Sequence, residues 1–307
     1  MNHKHSEFEE LIGPAYYHMV KEVGLENVKP SLRIEFANLQ KAHDSIHEFM
    51  LLGSLLFPSR RNEKISWRRK SAFFVYHWEA FHHAHRSLIE ALCAYYNVAF
   101  VLLRVTLELL IKGAFWECLS HKRFRQESQV LDKDKQGRKI KEWLEDIFKL
   151  APHIKKEFER TSAGIYDKIT PIIEDQDFRP NVKTIVQQLD HWGFFNPIPD
   201  PTTSIYEEIY KRLSADVHII PDRTDIGKRI LNRPNRMFDQ KVFQKALSEY
   251  AHLLHEVMDC AIVIELNIMR DIIQVYDEAK TNLRGRIETL EQLGLKYSLA
   301  RAEELLK

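Results

Sequence analysis

Apolar residues recur at helical spacing along almost the whole chain, and few residues interrupt that spacing. The 307 residues include only 10 glycines and 11 prolines. Turns between β-strands draw heavily on these two residues, so their scarcity favours long helices over many short strands. Hydrophobic residues make up 44% and charged residues 29%, which is ordinary for a folded globular protein. We therefore expect an all-α fold, a multi-helix bundle with long antiparallel helices.

The helical stretches fall into three segments. Residues 1–70 form an amino-terminal helical segment, residues 71–275 a helical core, and residues 276–307 a charged amphipathic tail. A single core usually stops growing at about 250 to 300 residues, so one elongated domain and two closely packed lobes are both compatible with this length.

Two helix boundaries can be predicted inside these segments. Ser31, which follows Pro30, is expected to begin a helix that ends near Leu56. The helical pattern of residues 71–120 is longer than an ordinary helix. We therefore expect it to divide into two helices at a kink or turn near residues 95–97.

The strongest loop signal is a proline-rich stretch at residues 178–203, interrupted by a short helical pattern at residues 183–189. It leads into Ser204, which with Glu207 three residues later forms a capping-box pattern for a new helix. That helix should end before Pro221. A connection of this length is uncommon unless it serves a function.

The helix after this loop carries Lys211, Arg212, Ser214 and His218 in its closing turns. At about 100° per residue, His218 shares a face with Ser214 and Lys211 and lies about 120° around the helix from Arg212. A stripe of Lys211, Ser214 and His218 is therefore the arrangement expected on a regular helix.

A second polar pair, Arg104 and Glu108, lies one helical turn apart in an otherwise apolar run. Buried charges are costly unless they are paired, so we expect these two side chains to form a salt bridge. Lys112 continues the same face. Alternatively, Arg104 binds a phosphate near His218 while Glu108 orients it. If this face meets the Ser214 helix, a polar pocket should lie inside the bundle.

Together these stretches resemble one family. The resemblance rests on Arg104-x-x-x-Glu108 within residues 95–108 and on Tyr210-x-x-Leu213-Ser214-x-x-x-His218. They look like the helical core of the HEPN superfamily (higher eukaryotes and prokaryotes nucleotide-binding), in particular an uncharacterised prokaryotic branch. The resemblance covers roughly residues 71–275.

The resemblance implies an all-α bundle, often dimeric, that acts on RNA or a nucleotide. Many members of the superfamily cleave RNA without a metal through an arginine followed by a histidine after four to six residues, while other members are inactive adaptors. Here Arg212 and His218 match that motif, although Leu213 stands where a small polar residue is usual. The expectation is a metal-independent endoribonuclease, working as a homodimer without a cofactor.

Histidine and arginine are residue types that suit RNA cleavage without a metal. Histidine can take the proton of a ribose 2′-hydroxyl, and arginine can stabilise the charge that develops on the phosphorus. To act together, Arg212 would reach around the helix, the last turn would unwind before Pro221, or a dimer would complete the site. Alternatively, Ser214 and His218 only hydrogen-bond inside the bundle, and Arg212 pairs with Glu208 on the surface.

The net charge of +1 excludes bulk coating of nucleic acid, so any polyanion must bind where positive charge is concentrated locally. Basic residues outnumber acidic ones at residues 58–70 and 219–236. These stretches either follow phosphates or are solvated connections between helices.

Two other functions are compatible with the sequence, a metal-binding bundle and a non-catalytic adaptor. Glu79-x-x-His82 and Glu249-x-x-His252 have the spacing used in di-iron helical bundles, but such pairs arise by chance in a chain with 15 histidines. His43-Asp44 lacks the accompanying histidine and aspartate pattern of metal-dependent phosphohydrolases, so no metal ligand is predicted. The non-catalytic alternative is a helical adaptor whose carboxy-terminal helices contact a partner.

The cellular compartment is predicted from cysteines and apolar runs. Cys93, Cys118 and Cys260 are odd in number and widely spaced, which indicates buried thiols in a reducing compartment. Residues 1–10 lack the apolar region of a signal peptide, and no apolar run is long enough to cross a membrane. We expect a cytoplasmic protein with no membrane partner.

Overall fold

The computed structural model describes residues 25–56, 71–93, 95–119, 121–133, 135–150, 178–217 and 240–307. Every regular element in these ranges is a helix, and they contain no β-strand. The all-α prediction is therefore confirmed. The frame consists of four long helices: α1 (Leu25–Leu55), α2 (Ala72–Leu92), α3 (Tyr96–Cys118) and α9 (Gln240–Ile268).

The amino-terminal boundary predicted for α1 is wrong. The helix begins at Leu25, before Pro30, and continues through it. Proline interrupts only one backbone hydrogen bond near the start of a helix of 31 residues, so the remaining turns tolerate it. Ser31, the predicted cap, is fully buried and belongs to the core-facing side of the helix.

The predicted break near residue 95 is confirmed, because α2 and α3 form an antiparallel hairpin around Tyr95. Ser71 caps α2 by accepting a hydrogen bond of 3.2 Å from the backbone N–H of Phe74. The carboxylate of Glu117, at the far end of α3, accepts hydrogen bonds from the Ser71 hydroxyl at 2.9 Å and the Phe73 N–H at 3.1 Å. The start of α2 is thereby fixed to the end of α3.

Helix α9 lies against α1 and α3 and is the central element of the core. Its side chains at Leu254, Val257, Ala261 and Ile264 are fully buried. One cluster of buried apolar residues extends through all three segments predicted from the sequence. Four further helices complete the carboxy-terminal end: α10 (Arg270–Val275), α11 (Asp277–Arg284), α12 (Ile287–Leu293) and α13 (Lys296–Leu306).

Four shorter helices lie between the α2–α3 hairpin and the proline-rich stretch or inside that stretch: α4 (Lys122–Gln126), α5 (Gln129–Lys133), α6 (Lys135–Leu150) and α7 (Val182–His191). Helix α7 confirms the predicted helical interruption and extends it by a few residues. Asn181 caps it by accepting a hydrogen bond of 2.8 Å from the Lys183 N–H.

The helix after the proline-rich stretch starts earlier than predicted and has a different geometry. A π-helix, π1 (Thr202–Tyr210), leads directly into α8 (Lys211–Val217). The prediction of a capping box at Ser204 is therefore wrong, because the Ser204 hydroxyl donates a hydrogen bond to the Pro199 carbonyl. Asp200 receives the first N–H instead, from Thr203 at 3.2 Å. Regular π-helices are rare and frequently lie at functional sites.

The cysteines and the helix lengths agree with what the sequence predicts. Cys118 and Cys260 are buried free thiols, and Cys93 is partly buried. None of the described helices combines the length and apolar character that a membrane crossing requires.

Candidate functional site

The predicted Arg104–Glu108 ion pair is present on α3, with 3.0 Å between Nε of Arg104 and Oε1 of Glu108. Tyr210, at the end of π1, joins both residues. Its hydroxyl accepts a hydrogen bond of 2.8 Å from Nη2 of Arg104 and donates one of 2.8 Å to Oε1 of Glu108. The Arg104 guanidinium also lies over the Tyr210 ring, 5.0 Å from its centroid. The two stretches that carry the family resemblance therefore meet in space.

The electrostatics of this network hold Glu108 in its charged form. Burial raises the pKa of Glu108, but hydrogen bonds from Lys112 and Tyr210 and the positive charges of Lys112 and Arg104 outweigh it and lower the pKa below its ordinary value. Lys112 lies on the same helical face, and its ammonium is 3.0 Å from Oε2 of Glu108. Burial, together with the hydrogen bond to Glu108, raises the pKa of the Tyr210 phenol, which therefore stays protonated.

A pair of stacked aromatic rings borders the network. Tyr206 and Tyr210 lie with ring centroids 5.4 Å apart and planes 18° from parallel. The ammonium groups of Lys183 and Lys211 lie 5.6 and 5.5 Å from the centroid of the Tyr206 ring. Lys211 also forms an ion pair with Glu207 one turn earlier. The stack thus presents aromatic surface with two cations beside it.

These side chains line a cleft of about 490 Å³ between α3, α7, π1 and α8. Four of the predicted residues, Arg104, Glu108, Lys211 and Ser214, meet there. The remaining lining residues are Pro180, Asn181, Val182, Tyr206, Tyr210 and Ala215. A pocket is present where the Arg104 face meets the Ser214 helix, as expected, but it is an open cleft and does not lie inside the bundle. Residues 180–182 of the proline-rich stretch line one side of it.

Ser214 lines the cleft but its hydroxyl hydrogen is already used. It donates a hydrogen bond of 2.7 Å to the backbone carbonyl of Tyr210, one turn earlier in the chain. Its two lone pairs remain on the oxygen, so Ser214 can still accept a hydrogen bond from a ligand.

Arg212 points to a different part of the surface. Its guanidinium forms an ion pair with Glu249 of α9 and lies 5.8 Å from the centroid of the Phe100 ring. The predicted pairing with Glu208 is therefore wrong, because α9 offers a carboxylate on the side of α8 that Arg212 faces. Arg212 lines a second cleft together with Glu35, Gln244, Lys245, Ser248, Glu249 and His252.

The other half of the predicted catalytic pair, His218, lies outside the described residues, as do the two basic stretches at residues 58–70 and 219–236. Within the described part of the chain, α8 ends at Val217. Arg212 faces α9 and Ser214 lines the cleft, so the two residues lie on different faces of α8, as the helical spacing predicts.

The two Glu-x-x-His pairs do not form a metal centre with each other. Glu249 binds Arg212, and His252 lies 3.2 Å from Glu256. Among the described residues, the one group with the geometry of a metal site is formed by His43, His47 and His85. This group was not predicted, although His43-x-x-x-His47 places two imidazoles on one helical face and is visible in the sequence.

Sequence reasoning also missed Tyr206 and Tyr210 as site residues. Their signal was present, since two tyrosines four residues apart on a helix directly precede Lys211. What the sequence did not show is that Tyr210 contacts α3 and that Tyr206 stacks on it. No protein-family model matches this chain, and no curated protein and no solved structure matches it.

Proposed function

We propose that this protein binds RNA or a nucleotide in the cleft between α3 and π1, as a HEPN-like helical bundle. The observation that carries the proposal is the combination of Arg104, Lys211 and the Tyr206–Tyr210 stack in one cleft. Arginine and lysine bind phosphate, and aromatic rings stack on bases without regard to sequence. Four cations at and beside the cleft, Arg104, Lys112, Lys183 and Lys211, outnumber the two carboxylates that pair with them, Glu108 and Glu207, so the cleft favours an anion.

The catalytic form of the proposal assigns Arg212 and His218 to RNA cleavage without a metal. The imidazole takes the proton of a ribose 2′-hydroxyl, whose oxygen attacks the adjacent phosphorus. The guanidinium stabilises the negative charge in the transition state. The bond from phosphorus to the 5′ oxygen breaks, that oxygen gains a proton, and the products end in a 2′,3′-cyclic phosphate and a 5′-hydroxyl.

Binding is tested with the full-length protein and a labelled single-stranded RNA by fluorescence anisotropy. Replacing Tyr206 with alanine removes one ring of the stack and leaves the Arg104–Glu108–Tyr210 network in place. We expect affinity to fall about 5- to 150-fold, the equivalent of about 1–3 kcal/mol for one stacked base. The control is Tyr276→Ala, which removes an exposed tyrosine outside the cleft and should leave affinity unchanged. Equal affinities of the two variants would remove this cleft as the binding site.

Cleavage is tested with the same RNA and by the chemistry of its ends. We expect Arg212→Ala and His218→Ala each to abolish formation of cyclic phosphate ends while the helical circular dichroism is unchanged. Glu249→Gln removes the charge of the partner carboxylate but leaves the guanidinium, so it should keep activity. Wild-type protein that cuts no better than the two alanine variants would eliminate the enzyme and leave binding alone.

The second candidate is a non-catalytic helical adaptor. Apolar side chains are exposed around the turn between α2 and α3, at Ile89, Leu92, Tyr95 and Val98. Grouped apolar surface is typical of sites that contact other proteins. If RNA neither binds nor is cut, this function remains. The homodimer is part of the main proposal, and light scattering of the purified protein measures it directly.

A further inference from the structure

Three histidines from two helices converge away from the cleft. His43 and His47 lie one turn apart on α1, and His85 lies on α2. Nε2 of His47 is 3.1 Å from Nε2 of His43 and 3.4 Å from Nε2 of His85. One ring nitrogen from each of the three lies within 4.8 Å of the others. We call this group the histidine cluster.

The outer nitrogens of two of these rings determine which ring nitrogen carries the proton. Nδ1 of His43 lies 3.1 Å from the carboxylate of Asp44, and Nδ1 of His85 lies 3.2 Å from the backbone carbonyl of Phe81. Both partners only accept hydrogen bonds, so Nδ1 is the protonated nitrogen in each ring. In the neutral rings the lone pair is therefore on Nε2, and both lone pairs face Nε2 of His47.

These hydrogen bonds from Nδ1 are typical of histidines that bind a metal ion. Ligating histidines almost always donate their other ring N–H to a carboxylate or a backbone carbonyl, which fixes the tautomer and the ring orientation. Asp44 and the Phe81 carbonyl supply those two acceptors. Asp44 is itself held by the amide of Gln40, at 2.9 and 3.0 Å.

The spacing of the nitrogens also fits. With zinc–nitrogen bonds of about 2.0–2.1 Å, two ligands of a tetrahedral site lie about 3.3 Å apart. Two of the three separations in the cluster, 3.1 and 3.4 Å, lie on either side of that value, and all three ligand atoms lie within 4.8 Å of one another. The Phe81 ring packs against the rings of His47 and His85, with centroids 6.2 and 4.4 Å away, and limits their rotation.

We propose that His43, His47 and His85 bind one divalent transition metal ion through Nε2, with zinc as the ion that fits best. Asp44 and the Phe81 carbonyl are positioning groups for His43 and His85. The side chains of His43 and Asp44 are 39% and 44% exposed, so the fourth position of the ion is open to water. Three histidines and one water are a ligand set found in catalytic zinc sites.

The test uses the full-length protein, stripped of metal and titrated with Zn²⁺ against a competing chelator. The amino-terminal stretch contains His3 and His5 and lies outside the described residues. Both are therefore replaced with asparagine in the background protein. We expect one tightly bound zinc per chain, measured by elemental analysis. Co²⁺ in the same site should give the intense visible absorption of a tetrahedral ion.

The variants separate this cluster from other histidines. His47→Ala and His85→Ala should each weaken zinc binding by more than the about 10- to 100-fold that loss of an outer partner costs, and Asp44→Ala should weaken it by about that amount. His82→Ala is the matched control, since His82 is an exposed histidine of α2 outside the cluster. His43→Ala, which alters a partly exposed side chain, provides a second ligand variant if another fails to fold.

Two results would overturn the proposal. One is the absence of stoichiometric zinc in the background protein, and the other is equal zinc affinity in the folded His47→Ala, His43→Ala and His82→Ala variants. The cluster shares no lining residue with the cleft at Arg104. Zinc binding and RNA binding can therefore succeed or fail independently.

Discussion

The hydroxyl of Tyr210 in π1 lies 2.8 Å from Oε1 of Glu108 in α3, although the two residues are 102 positions apart in the chain. The same hydroxyl accepts a hydrogen bond from Arg104. One oxygen atom is therefore hydrogen-bonded to both the guanidinium and the carboxylate that line the cleft. A cleft assembled in this way has its polar groups oriented before any ligand arrives, which reduces the cost of binding.

Replacing Tyr210 with phenylalanine should lower the free energy of unfolding by about 1–3 kcal/mol. The change removes one hydrogen bond to a charged group from each of the half-buried residues Glu108 and Arg104, while the ring is kept. Urea denaturation followed by circular dichroism measures the loss. Tyr206→Phe is the control, because the Tyr206 hydroxyl makes no hydrogen bond with the described residues, and it should change stability by less than about 0.5 kcal/mol. Equal effects of the two changes would contradict the assigned network.

Glu108 should make stability depend on pH in the acid range. Its pKa in the folded protein lies below the ordinary 4.5, so its contribution is fully present above pH 4.5 and is lost as the pH falls through the folded pKa. Glu108→Gln should therefore destabilise the protein at pH 7, and its difference from wild type should shrink as the solution is acidified below pH 4.5. Urea unfolding at a series of pH values measures this. The exposed Glu303→Gln serves as the reference, and a constant Glu108 difference across the series would refute the expectation.

Asp259 should be needed to hold α13 against α9. Its carboxylate accepts hydrogen bonds from the backbone N–H groups of Tyr297 at 3.0 Å and Ser298 at 2.8 Å, at the start of α13. Asp259→Ala leaves those donors without an acceptor and should cost about 1–3 kcal/mol. Hydrogen exchange should show faster exchange in α13 first. The control is Asp277→Ala, which changes an exposed residue in the first turn of α11. It should lower the free energy of unfolding by less than about 1 kcal/mol.

Gly53 of α1 lies against side chains of α2 and α9. A Cβ at this position would lie 2.5 Å from Oε1 of Glu265 and 2.8 Å from Nε2 of His77, two buried side chains that are themselves 3.2 Å apart. Gly53→Ala should therefore destabilise the protein, because overpacking costs about 1–3 kcal/mol and exceeds the about 0.5–1 kcal/mol that alanine gains over glycine in a helix.

The matched control for that change is Gly285→Ala. Its Cβ would meet nothing closer than 3.4 Å, and its backbone has an ordinary helical φ of −65°. Thermal unfolding of both variants measures the difference. A drop in Tm for Gly285→Ala as large as that for Gly53→Ala would show that the close contact at position 53 is not the cause.

A chelator should distinguish the two proposed sites in one experiment. Cleavage by Arg212 and His218 uses no metal, so EDTA should leave the rate of RNA cleavage unchanged. The same treatment should remove zinc from His43, His47 and His85, as elemental analysis would show. Loss of cleavage on chelation, restored by Zn²⁺, would mean that the reaction is not metal-independent.

The sequence predicted the helices and several polar contacts because both depend on local spacing. The scarcity of glycine and proline predicted the all-α fold, and the i, i+4 spacing of Arg104 and Glu108 predicted their ion pair. Helix ends were less predictable. Ser31 and Ser204 both have the residue type of a helix cap. Ser31 instead lies buried within α1, and π1 begins before Ser204, so both helices start earlier than predicted.

Only the tertiary structure decided which side chains meet across the bundle. Periodicity places a residue on a face of its helix, but it does not say which helix that face contacts. The partner of Arg212 is therefore Glu249 of α9 and not Glu208, the residue that joins Arg104 and Glu108 is Tyr210, and the partner of His43 and His47 is His85. Local spacing determines the elements of this protein, whereas the packing of its long helices, driven by burial of apolar surface, determines its sites.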